Sequence, residues 1–237
     1  TPPGMPGYLD SVAITSGTVT LSEPMWVTDV LVSNGATLLF TNWNAALNAR
    51  EVTNRGAITH GTCSATLTTP TASNRVAIFC SNLTVMAGAS INVDAKGYAP
   101  TGPGTAPTGS RGGGCYGGVG GRNGWTTYGS VSAPLDPGSG GQGQSYPDTG
   151  NAPGGGVVRI DAAGNVHVDG TITANGKQAT GGDCAGGSGG GIYITCRTIS
   201  GAGAILANGA QGQTATAFGP GGGGGGRVAV LYTPALQ

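Results

Sequence analysis

The chain has 237 residues, 49 of them glycine, about three times the usual share. Charged residues make up 8%, ten basic against ten acidic, which leaves no basic face for nucleic acid and no charge-expanded disordered polymer. No apolar run reaches the eighteen or so residues of a membrane span.

Glycine and proline are the weakest helix formers, and no segment keeps an apolar stripe at helical spacing for three turns, so the chain reads as all-β. The opening Thr1-Pro2-Pro3-Gly4 lacks a signal peptide's basic start and apolar run, so an exported form has already lost its signal. Residues 1–70 hold less glycine, with Trp26, Phe40 and Trp43, and read as an N-terminal β cap with the first irregular coils. Within them Val12-Ala13-Ile14-Thr15 alternates like a strand, and Asn34 to Leu38 and Arg55 to Thr59 are weak copies of a later repeat.

Residues 71–237 read as the repeating region. Val76 to Cys80, Val158 to Ala162, Ile192 to Cys196 and Val228 to Tyr232 align as one strand type. Gly88 to Asp94, Gly170 to Gly176 and Gly203 to Gly209 align as a second, and Ala174-Asn175-Gly176 and Ala207-Asn208-Gly209 lie thirty-three residues apart. Period-2 geometry puts Val76, Val158, Ile192 and Val228 in one inward column, and Ile78, Ile160, Ile194 and Val230 in another. Cys80, Ala162, Cys196 and Tyr232 make a third column, and Ile91, Ile172 and Ile205 a fourth on another side. Like residues stacked once per repeat predict a parallel β-solenoid, or β-helix. The Asn-Gly pairs suit corners that need φ > 0.

Glycine-rich arms separate the strands: a long one over 97–156, then 176–191 and 209–226. Each ends directly at a strand, which predicts packing as polyglycine, polyproline-II-like helices on one side of the solenoid.

The runs Gly186 to Ile194, Gly201 to Gly209 and Gly221 to Val230 resemble Gly-rich repeats of large secreted and cell-surface bacterial proteins. The glycine runs also resemble polyglycine layers in the tip adhesins of some tailed phages. The first likeness spans roughly residues 75–232, and neither family carries a catalytic motif to transfer. The resemblance implies a role in surface structure or adhesion.

Five cysteines in such a chain fit an extracellular, oxidising setting. Cys63 and Cys80, and Cys115 and Cys184, are the disulfide candidates; Cys80 and Cys196 share a column but lie about 10 Å apart, beyond a disulfide's reach. No Cys-x-x-Cys or His-x-x-x-His occurs, so no metal and no cofactor is expected. Gly186 to Gly190 matches Gly-x-Ser-x-Gly without the required strand-turn-helix context, and Gly112, Gly114 and Gly117 match a dinucleotide fingerprint by glycine density alone. Asn82-Leu83-Thr84 is a glycosylation acceptor sequence.

Three functions compete. The first is an extracellular structural subunit of a filament, sheath or adhesin, with its own copies as partner. The thin cover after Val230 leaves a solenoid end on which a neighbour's residues 1–21 would dock head to tail; deleting them would abolish assembly. The second is glycan binding through Tyr116, Trp125, Tyr128 and Tyr146, the aromatics of the long arm. The third is a β-helical polysaccharide lyase or hydrolase using Arg159, Asp161, His167 and Asp169 on one exposed face. The few charges of the chain favour solvated surface roles for those four, so a non-enzymatic reading is preferred.

Overall fold

A computed structural model of the chain describes residues 10–63, 72–122, 124–143, 152–180, 183–213 and 219–232. Fifteen strands and no helix lie among the described residues. In chain order they are β1 (Val12–Ile14), β2 (Gly17–Leu21), β3 (Met25–Val32), β4 (Ala36–Phe40), β5 (Leu47–Asn54), β6 (Ala57–His60), β7 (Val76–Val85) and β8 (Ser90–Asn92). There follow β9 (Val157–Ala162), β10 (Asn165–Val168), β11 (Thr171–Thr173), β12 (Gly191–Cys196), β13 (Thr198–Ser200), β14 (Ala204–Leu206) and β15 (Arg227–Tyr232).

These strands correct the expected single parallel β-solenoid. They divide into two parallel sheets in a layered arrangement, one of nine strands and one of six. The larger runs β1-β3-β5-β7-β9-β12-β15, with β10 paired to β7 and β13 to β10; the smaller runs β14-β11-β8-β6-β4-β2. The ladder breaks into two sheets because the chain crosses between them through tight turns that bond to themselves. Ala36 N–H donates to the Ser33 carbonyl (3.0 Å) and Ala89 N–H to the Met86 carbonyl (3.0 Å). Gly35 and Gly88 supply the left-handed residue at these turns, with φ of 78° and 82°. Strands β1 to β6 run in the same two sheets as β7 to β15.

The core lies between the sheets. Val19, Leu38, Ile58, Ile91, Ile172 and Ile205 are consecutive partners across the smaller sheet. Met25, Leu47, Ile78, Ile160, Ile194 and Val230 do the same across the larger. The inner members of both rows are completely buried. Each aliphatic side chain is thereby covered by its like in the next strand, and among the described residues Phe40 is the one aromatic in this core.

The larger sheet bends. Inward positions on β7 are 76, 78 and 80, then 83 and 85, so the half-buried Ser81 and Asn82 stand side by side where the alternation slips. Strand β5 slips likewise at Arg50 and Glu51. At this bend Asn82 Nδ2 donates to Glu51 Oε1 (2.8 Å), and Asn82 Oδ1 accepts from Asn165 N–H (2.8 Å).

The glycine arms carry neither α-helix nor strand among the described residues and are stitched together through backbone groups. Gly186 and Gly189 donate to the carbonyls of Gly221 and Gly224 (both 3.0 Å), and Gly224 donates in turn to Gly114 (2.9 Å). Gly187 and Gly190 donate on another side to Lys177 (3.0 Å) and Ala174 (2.7 Å). Glycine is required here by proximity: a Cβ at Gly190 would drive into the carbonyl of Gly156, and one at Gly176 into that of Gly187. This also corrects the reading of Asn175-Gly176 and Asn208-Gly209, whose glycines serve close approach and not a positive φ.

Candidate functional site

On β9 the alternation buries Val158 and Ile160 and turns Arg159 and Asp161 outward. Their side chains pair at 2.6 Å, Thr195 Oγ1 donates to Asp161 Oδ1 (2.7 Å), and the guanidinium lies 4.9 Å from the centre of the Phe79 ring. On β10 His167 turns outward in the same way; its Nε2 lies 2.9 Å from Asp169 Oδ2 and its Nδ1 3.0 Å from Ser200 Oγ. The Ala202 N–H, donating to Asp169 Oδ1 (3.0 Å), and then His167 hold that carboxyl below its ordinary range.

The structure builds two pairs and does not join them. Asp161 is the strand partner of Phe79, whereas His167 is the partner of Thr84, about 16 Å further along β7 and round its bend. The order Ser200, His167, Asp169 is that of a nucleophilic relay, and sequence reasoning missed Ser200. Its spacing of thirty-three residues from His167, the same as between the two Ala-Asn-Gly copies, was the available signal. The nearby Ala202 N–H is engaged by Asp169 and so is not free to stabilise an oxyanion.

The arm aromatics separate by role. Tyr116 is completely buried, 5.0 Å from the Tyr128 ring and 4.9 Å from the Arg227 guanidinium. Tyr128 donates its hydroxyl to the Pro137 carbonyl (2.5 Å) and meets Ser139 Oγ at 2.9 Å; burial pushes its pKa well up. Both hold the arm down. Trp125 is 50% exposed and remains available to a ligand; Tyr146 lies outside the described residues.

None of the five cysteines is joined in a disulfide, and all are buried. Cys80 on β7 is the strand partner of Ala162 on β9, and β9 lies between β7 and the strand β12 that carries Cys196, so the two thiols do not meet. Burial, then the carboxylates of Glu51 and Asp161, pushes the Cys80 thiol up to about 12. Cys63 donates to the Asn74 carbonyl (3.4 Å), and Cys115 Sγ accepts from Gly120 N–H (3.2 Å). The Asn82 amide is engaged at the bend, so a glycan there would have to displace those bonds. Among the described residues no cluster of three His, Cys, Asp or Glu is placed to hold a metal ion, and no helix is long and apolar enough to cross a membrane.

His60 is the functional-looking side chain that sequence reasoning left unassigned. Completely buried at the end of β6, it donates from Nδ1 to the Gly61 carbonyl (2.5 Å) and accepts at Nε2 from Val157 N–H (3.1 Å). It therefore fastens the point where the long arm re-enters the sheet. Burial is the main cause that lowers its pKa to about 4, so the ring is neutral at pH 7.

Comparison with protein families, with characterised proteins and with solved structures finds no match.

Proposed function

We propose that this chain is an extracellular structural module that assembles with further copies of itself end to end. The observation that carries the reading is how the apolar rows stop. Ile192 is completely buried between its neighbours, while Val228, next in its row on the terminal strand β15, is 45% exposed. At the other end of the smaller sheet Val19 is 46% exposed beside the completely buried Leu38. Covering both ends with like rows recovers about 25 cal/mol for each Å² of apolar surface removed from water. The extracellular part of the reading rests on the sparse charge and on the resemblance to secreted Gly-rich repeats.

Electron microscopy of the purified chain at neutral pH tests this. Regular filaments are expected; isolated particles at all concentrations would remove the reading. Glycan binding stands second, favoured by the exposure of Trp125 together with Val119 at 62% and Val131 at 76% on the long arm.

A further inference from the structure

The two ends of the molecule match in chain order as well as in chemistry. At one end the terminal strands are β13, β14 and β15; at the other they are β1, β2 and the start of β3. The chain visits the bent half of the larger sheet at β10 and β13, the smaller sheet at β11 and β14, and the first half of the larger sheet at β12 and β15. After β15 the next visit in this order is to the bent half. Strand β1 lies in that half, since Val12, Ala13 and Ile14 pair with Val30, Leu31 and Val32 of β3. It is followed by β2 in the smaller sheet and then by Met25 to Val27 in the first half.

Resting on the end-to-end reading above, we infer that the partner at this end is a second copy in one fixed register, with β13, β14 and β15 of one copy pairing in parallel with β1, β2 and the start of β3 of the next. No strand position is then skipped or used twice, and every row continues without a step. The row Val12, Val30, Val52, Leu83, Val166 and Ile199 repeats by setting Ile199 against Val12 of the next copy. The row of the smaller sheet sets Ile205 against Val19, and the row of the larger sets Val230 against Met25. A slip of one residue would turn each inward side chain to the outer face, which fixes the register strongly. The Asn ladder points the same way: Asp94 accepts from Asn175 N–H (2.6 Å), and Asn175 from Asn208 N–H (2.8 Å), one step per strand toward this end.

Mixing the separate full-length variants Val19→Cys and Ile205→Cys under mild oxidation tests the register, with the bonded peptides read by mass spectrometry. The expected product joins the two introduced thiols at least tenfold more than a mixture of Val19→Cys with Leu206→Cys, whose thiol points to the opposite face. Filaments that form without that preference would overturn the register and leave end-to-end assembly standing. Failure of the wild-type chain to form filaments would overturn both. Hydrogen exchange on wild-type filaments supplies a readout without substitutions: assembly is expected to protect the amides of 17–21 and 204–206 together. Unchanged exchange at both in formed filaments would overturn the register as well.

Discussion

The sheets and the glycine arms solve the same problem, burial of backbone beside backbone, in opposite ways. In the sheets, regular ladders satisfy the main chain and the side chains do the packing, so Leu38, Ile58, Ile91 and Ile172 form one dry row. In the arms the main chain itself is the packing surface, and carbonyls occupy the space where a side chain would begin. The sheets are therefore sensitive to atoms removed, and the arms to atoms added.

A methyl group at the centre of the arms sharpens this contrast most. Gly190→Ala places its Cβ against the Gly156 carbonyl and the Gly155 backbone, none of which is a flexible side-chain end. A loss of about 3 kcal/mol, the upper end of ordinary overpacking costs, is expected in the denaturation midpoint. A change within experimental error would mean that the arms yield like loops.

The junction between the two regions responds to acid. Burial lowers the His60 ring from its ordinary 6.5 to about 4 in the folded chain, so between those values only the unfolded chain takes up the proton. Its contribution is complete above about pH 6.5 and falls as the pH drops toward 4, by about 3 kcal/mol in all. Denaturation series at pH 7 and pH 4.5 measure the fall, and His60→Gln should flatten it. An unchanged acid limb in that variant would place the sensitivity elsewhere.

Removal of one methyl from a sheet row is the milder counterpart. Ile172→Val, in the middle of the smaller sheet, should cost about 1 kcal/mol by the same denaturation assay. If it costs more than Gly190→Ala, the order of sensitivities drawn here is reversed.

The sequence carried the strands further than it carried their assembly. Alternation alone placed Val76, Val158, Ile192 and Val228 together, because a period of two leaves little freedom of register once one face is apolar. It did not show the division into two sheets. That depends on the turns at Gly35 and Gly88, which read equally well as corners of a continuous coil. Cysteine content suggested cross-links, whereas Cys80 and Cys196 fill inward positions as small apolar groups. His60 was illegible for another reason: its partner at Val157 lies ninety-seven residues away, beyond the whole long arm. The aromatics of that arm looked alike in sequence, and only burial separated Tyr116 and Tyr128, which hold it, from Trp125, which faces water.

The smallest effect is expected on the outer face, where neither kind of packing operates. His167 and Asp169 are bonded to each other and to Ser200 and Ala202, yet their side chains stay 34% and 38% exposed. Exposed pairs of this kind contribute little, so His167→Ala should leave the denaturation midpoint unchanged within experimental error. Turnover of polysaccharide should be equally indifferent to His167→Ala and Asp161→Asn, because the two pairs face outward on either side of the bend at Ser81 and Asn82. Glycosidic cleavage needs two carboxyl groups within about 10 Å of each other across one sugar, and a strand path well beyond that separates Asp161 from Asp169. Reducing-end assays on a polysaccharide panel check this directly. Cleavage by the wild type that His167→Ala abolishes would show that the His167, Asp169 and Ser200 chain works alone, and would move the centre of function from the ends of the molecule to its face.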